Sequence, residues 1–186
     1  MTREVEDGNS VNGNGGSSEP RPDFKEGDLV VYPSHGAGII TGMEEKTVLG
    51  ESRRYYTVYI SDANLTVSVP DTGTALRRCA DAAAASEALE VLGEGVTEMP
   101  SNWSHRLKHN QDKIKSGEIL QVAEVVRNLN SYGGEHNLST GERNTLMKAR
   151  QILVSEIAIC RDIEIPEAEA LVMEALADGV DRAGRD

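Results

Sequence analysis

The chain has 186 residues, 38% of them hydrophobic and only 4% aromatic, with 31 acidic against 19 basic side chains for a formal net charge of -12. A chain of this length makes one ordinary domain or two small ones, and a core so poor in aromatics has to be built from Val, Ile, Leu and Ala, which favours two small cores over one large one. No run approaches the roughly 18 apolar residues that cross a bilayer and the N-terminus has no apolar signal core, so a cytoplasmic protein with no membrane partner is expected.

Residues 1–23 are rich in Gly, Asn, Ser and Pro, with Asn12, Gly13, Asn14, Gly15, Gly16, Ser17 and Ser18 in one stretch, and hold almost nothing apolar to repay the entropy of ordering. They read as a disordered tail. From Phe24 the composition changes to Phe, Tyr, Val, Ile and Thr, and strands are predicted at 28–32, 37–44, 53–60 and 65–69. Turn formers at Pro33-Ser34-His35-Gly36, near Gly50 and at Asp62-Ala63-Asn64 separate them. Strands this short and closely spaced predict a Tudor-like or SH3-like antiparallel β-barrel over residues 24–75. In its last strand Leu65, Val67 and Val69 alternate with Thr66 and Ser68, which places the first three toward the core. That strand is either a sheet edge open to a partner's strand or a fully paired member of a closed barrel.

Residues 76–179 switch to helix formers and predict an all-α bundle of about five helices. Asp81 caps an alanine-rich helix that stops at Gly93, and Ser101 caps a second that runs to Gly117. A third spans about Glu118 to Tyr132, before Gly133-Gly134. Ser139-Thr140-Gly141-Glu142 forms a capping box that opens a helix reaching about Ile159, and Pro166 suits the first turn of a last helix ending near Gly179. Residues 180–186 read as a disordered C-terminus. Cys79 and Cys160 stand far apart in sequence with no second thiol beside either, which excludes a disulfide framework and a cysteine-based zinc site; both read as small buried apolar residues.

Charge is uneven along the chain. Residues 101–150 carry a net +3 while every other stretch is acidic, so this segment is the one candidate for contact with a nucleic acid. It contains Trp103, the single tryptophan, placed in the first turn of the second helix beside His105, Arg106 and Lys108. Two readings fit that position. Trp103 could wedge against a base step while helix amides and nearby cations hold phosphates, or Trp103, Leu107 and Ile114 could form a buried stripe at spacings of four and seven. Pro33-Ser34-His35-Gly36-Ala37-Gly38 lacks the Gly-Lys-Ser/Thr of a phosphate loop and reads as a turn between strands. His105 and His109 have the spacing of zinc ligands, but Arg106 and Lys108 repel a dication and no third ligand stands out. No nucleophile elbow and no serine, histidine and carboxylate set is present, so no enzyme, metal or cofactor is expected.

An ordered series of motifs carries a resemblance. The run Phe24-Lys25-Glu26-Gly27-Asp28-Leu29-Val30-Val31-Tyr32-Pro33-Ser34-His35-Gly36 is followed by Leu65-Thr66-Val67-Ser68-Val69-Pro70 and Asn102-Trp103-Ser104. Next come Val122-Ala123-Glu124-Val125-Val126-Arg127-Asn128-Leu129 and Lys148-Ala149-Arg150-Gln151-Ile152-Leu153-Val154. Together these resemble the CarD/CdnL family of bacterial transcription regulators over residues 24–177. The resemblance implies a Tudor-like domain that pairs edge strands with the RNA polymerase β subunit, and a helical domain that touches promoter DNA and stabilises the open complex. It implies that Trp103 wedges into the minor groove at the upstream edge of the melted region, and that His105, Arg106, Lys108 and Arg143 are DNA positions. It places polymerase contacts at Lys46 and Ser68, with Thr66 and Val69 as neighbouring strand positions. Relatives that carry arginine at Lys46 and Ser68, or cations in the stretch matching Asn130-Ser131-Tyr132-Gly133-Gly134, imply weaker docking and lower DNA affinity here. The expected protein is a monomer with weak, largely sequence-independent DNA contact. The rival is a protein-interaction adaptor on RNA polymerase that does not touch DNA.

Overall fold

The computed structural model describes residues 23–33, 35–48, 51–71 and 76–183. Except for Asp23, the expected N-terminal tail lies outside the described residues, as do residues 184–186 of the expected disordered C-terminus.

Five strands form one antiparallel sheet: β1 (Leu29–Tyr32), β2 (Gly36–Val48), β3 (Glu51–Ile60), β4 (Leu65–Pro70) and β5 (Arg77–Arg78), in the order β4-β3-β2-β1-β5. The expected barrel is corrected to an open sheet. Its edges are β4 and β5, and β5 pairs with β1 over two residues and does not reach round to β4. The inner face is a small core of Phe24, Val30, Ile40, Tyr56, Val58, Ile60, Val69 and Leu76, with Phe24 edge-on to Tyr56 at 5.4 Å. Cross-strand partners share a face, so the pairs Tyr56↔Val69 and Val58↔Val67 look inward while Thr57↔Ser68 and Tyr59↔Thr66 look outward.

Five helices follow: α1 (Ala82–Leu92), α2 (Trp103–Ser116), α3 (Ile119–Glu135), α4 (Thr140–Arg161) and α5 (Ile165–Ala183). Asp81 caps α1 by accepting from the Ala84 amide at 2.8 Å, and Ser139 with Glu142 completes the capping box of α4. The cap of α2 is Asn102, one residue later than expected, and its Oδ1 accepts from Ser104 and His105. α3 continues through Gly133 and Gly134, and α5 continues past Gly179, which corrects the expected disorder from residue 180 as far as Ala183. At Gly179 a Cβ would lie 3.1 Å from the Leu92 carbonyl, so glycine is what lets α5 cross closely over the end of α1. No helix among the described residues is long and apolar enough to cross a membrane.

The sheet and the bundle share a seam along α4. Val31 and Ala37 bury themselves in the helical core with Leu129, Leu153 and Ile157. Gly36 has φ +99 and runs so close to α4 that a Cβ there would sit 2.7 Å from Ser155 Oγ; the Ala37 amide donates to that same oxygen at 2.9 Å. Any side chain at position 36 would meet both the left-handed backbone and this contact. One residue along, the fully buried Glu156 receives two hydrogen bonds from the Arg77 guanidinium, at 2.6 and 2.7 Å. Cys79 and Cys160 are only half-buried, which corrects their reading as buried apolar residues, and the fold brings them to the same seam.

Candidate nucleic-acid interface and docking edge

The N-termini of α2 and α4 meet at one end of the bundle. Leu107 packs on Gly141, and Arg106 of α2 donates through Nε to Glu142 of α4 at 2.7 Å. Arg106 also donates to the Pro100 and Ser101 carbonyls at 3.1 Å and stacks over the Tyr132 ring, 4.2 Å from its centroid. The other carboxylate oxygen of Glu142 accepts from the Ser139 amide and hydroxyl at 2.9 and 2.7 Å. Burial pushes the Glu142 carboxyl up, but the bonds from Ser139 and Arg106 outweigh it and hold the group below the usual carboxylate value. Arg106 is 4% exposed, and its bonds through Nε and Nη1 fix the start of α2 against α4.

Trp103 is 59% exposed, and the buried stripe is corrected in turn. As the first residue of α2, its Cβ tilts toward the helix N-terminus and beyond the bundle, so the seam begins with half-buried Leu107 and closes on Ile114. His105, Lys108 and Arg143 are all exposed at this end. Other cations of the basic segment are occupied by carboxylates: Lys113 by Glu124, Arg127 by Glu94 and Glu124, Arg150 by Glu169, and Lys115 loosely by Asp112. Within that segment, the cations outside any ion pair among the described residues are Lys108, Arg143 and Lys148. Lys148 was not singled out from sequence; it lines a groove between α2 and α4 with Gln111, Lys115 and Asn144, and only the pairing of those helices reveals it. His105 and His109 belong to no metal-ligand cluster among the described residues.

The second surface is the outer face and free edge of the sheet at β4. Lys46 Nζ donates to Ser68 Oγ at 3.2 Å, pairs with Glu44 and lies over the Tyr55 ring at 5.4 Å. Thr66 and Ser68 are exposed as their alternation requires. The Val69 side chain is 3% exposed and packs in the sheet core against Tyr56, so only its backbone lies on the β4 edge.

Residues 24–75 match the CarD-like/TRCF RID domain and residues 87–173 match the CarD C-terminal domain. The chain is also 38% identical over 143 residues to YdeB of Bacillus subtilis (strain 168), named as a candidate transcription factor; that alignment takes in 75% of this chain and 94% of that protein. The chain belongs to the CarD family. CarD-like chains are transcription regulators associated with RNA polymerase, and the two matches divide between the two surfaces. The sheet with its β4 edge falls in the RID match, and the end of the bundle carrying Trp103, Lys108 and Arg143 falls in the CarD C-terminal match.

Proposed function

We propose that this CarD-family protein is a non-enzymatic, cytoplasmic transcription regulator. Residues 24–75 dock on the RNA polymerase β subunit through β4, with Lys46, Thr66 and Ser68 at the contact. Residues 76–179 touch promoter DNA at the upstream edge of the melted region and stabilise the open complex. The observation that carries this reading is Trp103, a large apolar side chain held out in solvent on a helix N-terminus, at an end of the bundle whose cations Lys108 and Arg143 have no carboxylate partner among the described residues. Leaving 59% of a tryptophan exposed forgoes burial energy, and a base step partly unstacked by the indole would recover it. Exposed His105, Lys108 and Arg143 flank it and supply phosphate contacts, and the amides in the first turn of the helix add partial positive charge. Arg106 and Glu142 hold the wedge in place from behind.

Promoter opening by purified polymerase, followed by fluorescence of a base in the bubble, tests the reading. Full-length protein should prolong the open complex and Trp103→Ala should lose most of that effect. A Trp103→Ala protein as effective as the parent overturns the wedge and leaves an adaptor that holds polymerase without touching DNA.

A further inference from the structure

Four hydrogen bonds draw the segment Arg77–Ala80 onto α4. Two run from Arg77 to Glu156, a third from the Ala80 amide to Glu156 at 2.8 Å, and a fourth from Cys160 Sγ, one turn further along α4, to the Ala80 carbonyl at 2.9 Å. Cys79 lies inside this clamp, its amide bonded to the Leu29 carbonyl at 3.1 Å, and it is next in the chain to Ala80, whose carbonyl accepts from Cys160 Sγ. Both cysteines are free and both are half-buried against the same core at this seam. The Cys79 contact draws the Cys160 thiol below its usual value and Arg77 assists, against burial and the charges of Glu156 and Asp81. Cys160 pushes the Cys79 thiol the other way, with burial and Glu156 adding to it.

We propose that Cys79 and Cys160 form an oxidation site, closed to a disulfide by a two-electron oxidant of the peroxide class. The Cys160 thiolate attacks one peroxide oxygen, the O–O bond breaks, and the sulfur becomes a sulfenic acid while hydroxide leaves and takes up a proton as water. Cys79 then attacks the Cys160 sulfur; the S–S bond forms, the S–O bond breaks, and the hydroxyl departs as a second water with the Cys79 proton. Two thiols are oxidised by two electrons and one peroxide is reduced to two waters. The bond would staple the segment after β5 to α4, fixing the sheet to the bundle at the seam where Gly36 and Ser155 meet. This inference does not depend on the proposed DNA or polymerase contacts.

Full-length native protein is treated with hydrogen peroxide, unfolded, alkylated with iodoacetamide and weighed intact. The expected product is a monomer lighter than the reduced chain by two hydrogens, without alkylated cysteine, whose digest contains one peptide joining Cys79 to Cys160. Dithiothreitol should reverse it, and the oxidised form should melt at a higher temperature because the cross-link restricts the unfolded chain. Cys79→Ser and Cys160→Ser should each abolish the cross-linked peptide. Two separately oxidised or alkylatable cysteines, a disulfide only between chains, or closure no faster in the native protein than in guanidinium-unfolded chain would each overturn the proposal.

Discussion

In the first turn of α2, Trp103 is 59% exposed and Arg106, three residues on, is 4% exposed, so neighbouring positions meet opposite fates under substitution. Trp103→Ala should shift stability by no more than about 0.5 kcal/mol, as surface changes do, where a buried tryptophan would cost about 3–5 kcal/mol. Thermal melting distinguishes these outcomes directly. Arg106→Ala should instead cost about 3–5 kcal/mol, because it strands the Glu142 carboxylate in a buried site; guanidinium unfolding measures the loss. The same pair carries a pH signature. Glu142 is held below its ordinary value of 4.5, so its contribution is complete above that pH and fades as the pH falls through the depressed folded value. The melting-temperature gap between the parent and Glu142→Gln should therefore be widest near neutrality and narrow only in acid below about 4.5. A gap that stays constant down into that range would show that the charge of Glu142 does not contribute.

At the scale of elements, β4 combines an unpaired edge with a polar outer face, and Lys46→Glu and Ser68→Glu place negative charge on that face while leaving the core of Tyr56, Val58 and Val69 intact. Both variants should melt like the parent yet be retained less well on immobilised polymerase β subunit; undiminished retention would move docking elsewhere. Local chemistry made several elements legible. The capping box of Ser139 and Glu142, the Asp81 cap and the turn before Gly36 are each written within four residues. What sequence could not show depends on partners far along the chain. β5 is two arginines with no apolar alternation, and it is a strand because Val30 and Val31 offer it an edge. Gly133, Gly134 and Gly179 looked like helix ends, but the helices continue through them, and at Gly179 the reason is a close crossing with Leu92 and Gly93. The site was split in the same way. Trp103 with His105, Arg106 and Lys108 stood out in the sequence as a basic, aromatic cluster, and Arg143 only through the family resemblance, but four-residue spacing describes a core stripe as well as a wedge. Nothing near Arg106 in sequence announces Glu142, 36 residues away.

For the molecule as a whole, a net charge of -12 opposes approach to DNA, and within the basic segment the cations outside any ion pair among the described residues are Lys108, Arg143 and Lys148. Three phosphate contacts correspond to a slope of about -2.7 in log affinity against log salt, so the free protein should bind duplex DNA weakly and without sequence preference. Anisotropy titrations across salt check this. A much steeper slope, or tight salt-insensitive binding to one sequence, would contradict it. Arg143→Ala should flatten the slope by about one unit, since it removes one phosphate contact.

The long helix α4 joins the sheet to the tryptophan-bearing end, keyed to β2 and β5 at Ser155 and Glu156 and to that end at Glu142. Fourteen residues separate those two anchor carboxylates, a span of about 21 Å at the helical rise and hence about six base pairs of duplex. On the proposed function, this span sets how far the tryptophan-bearing end stands from the sheet.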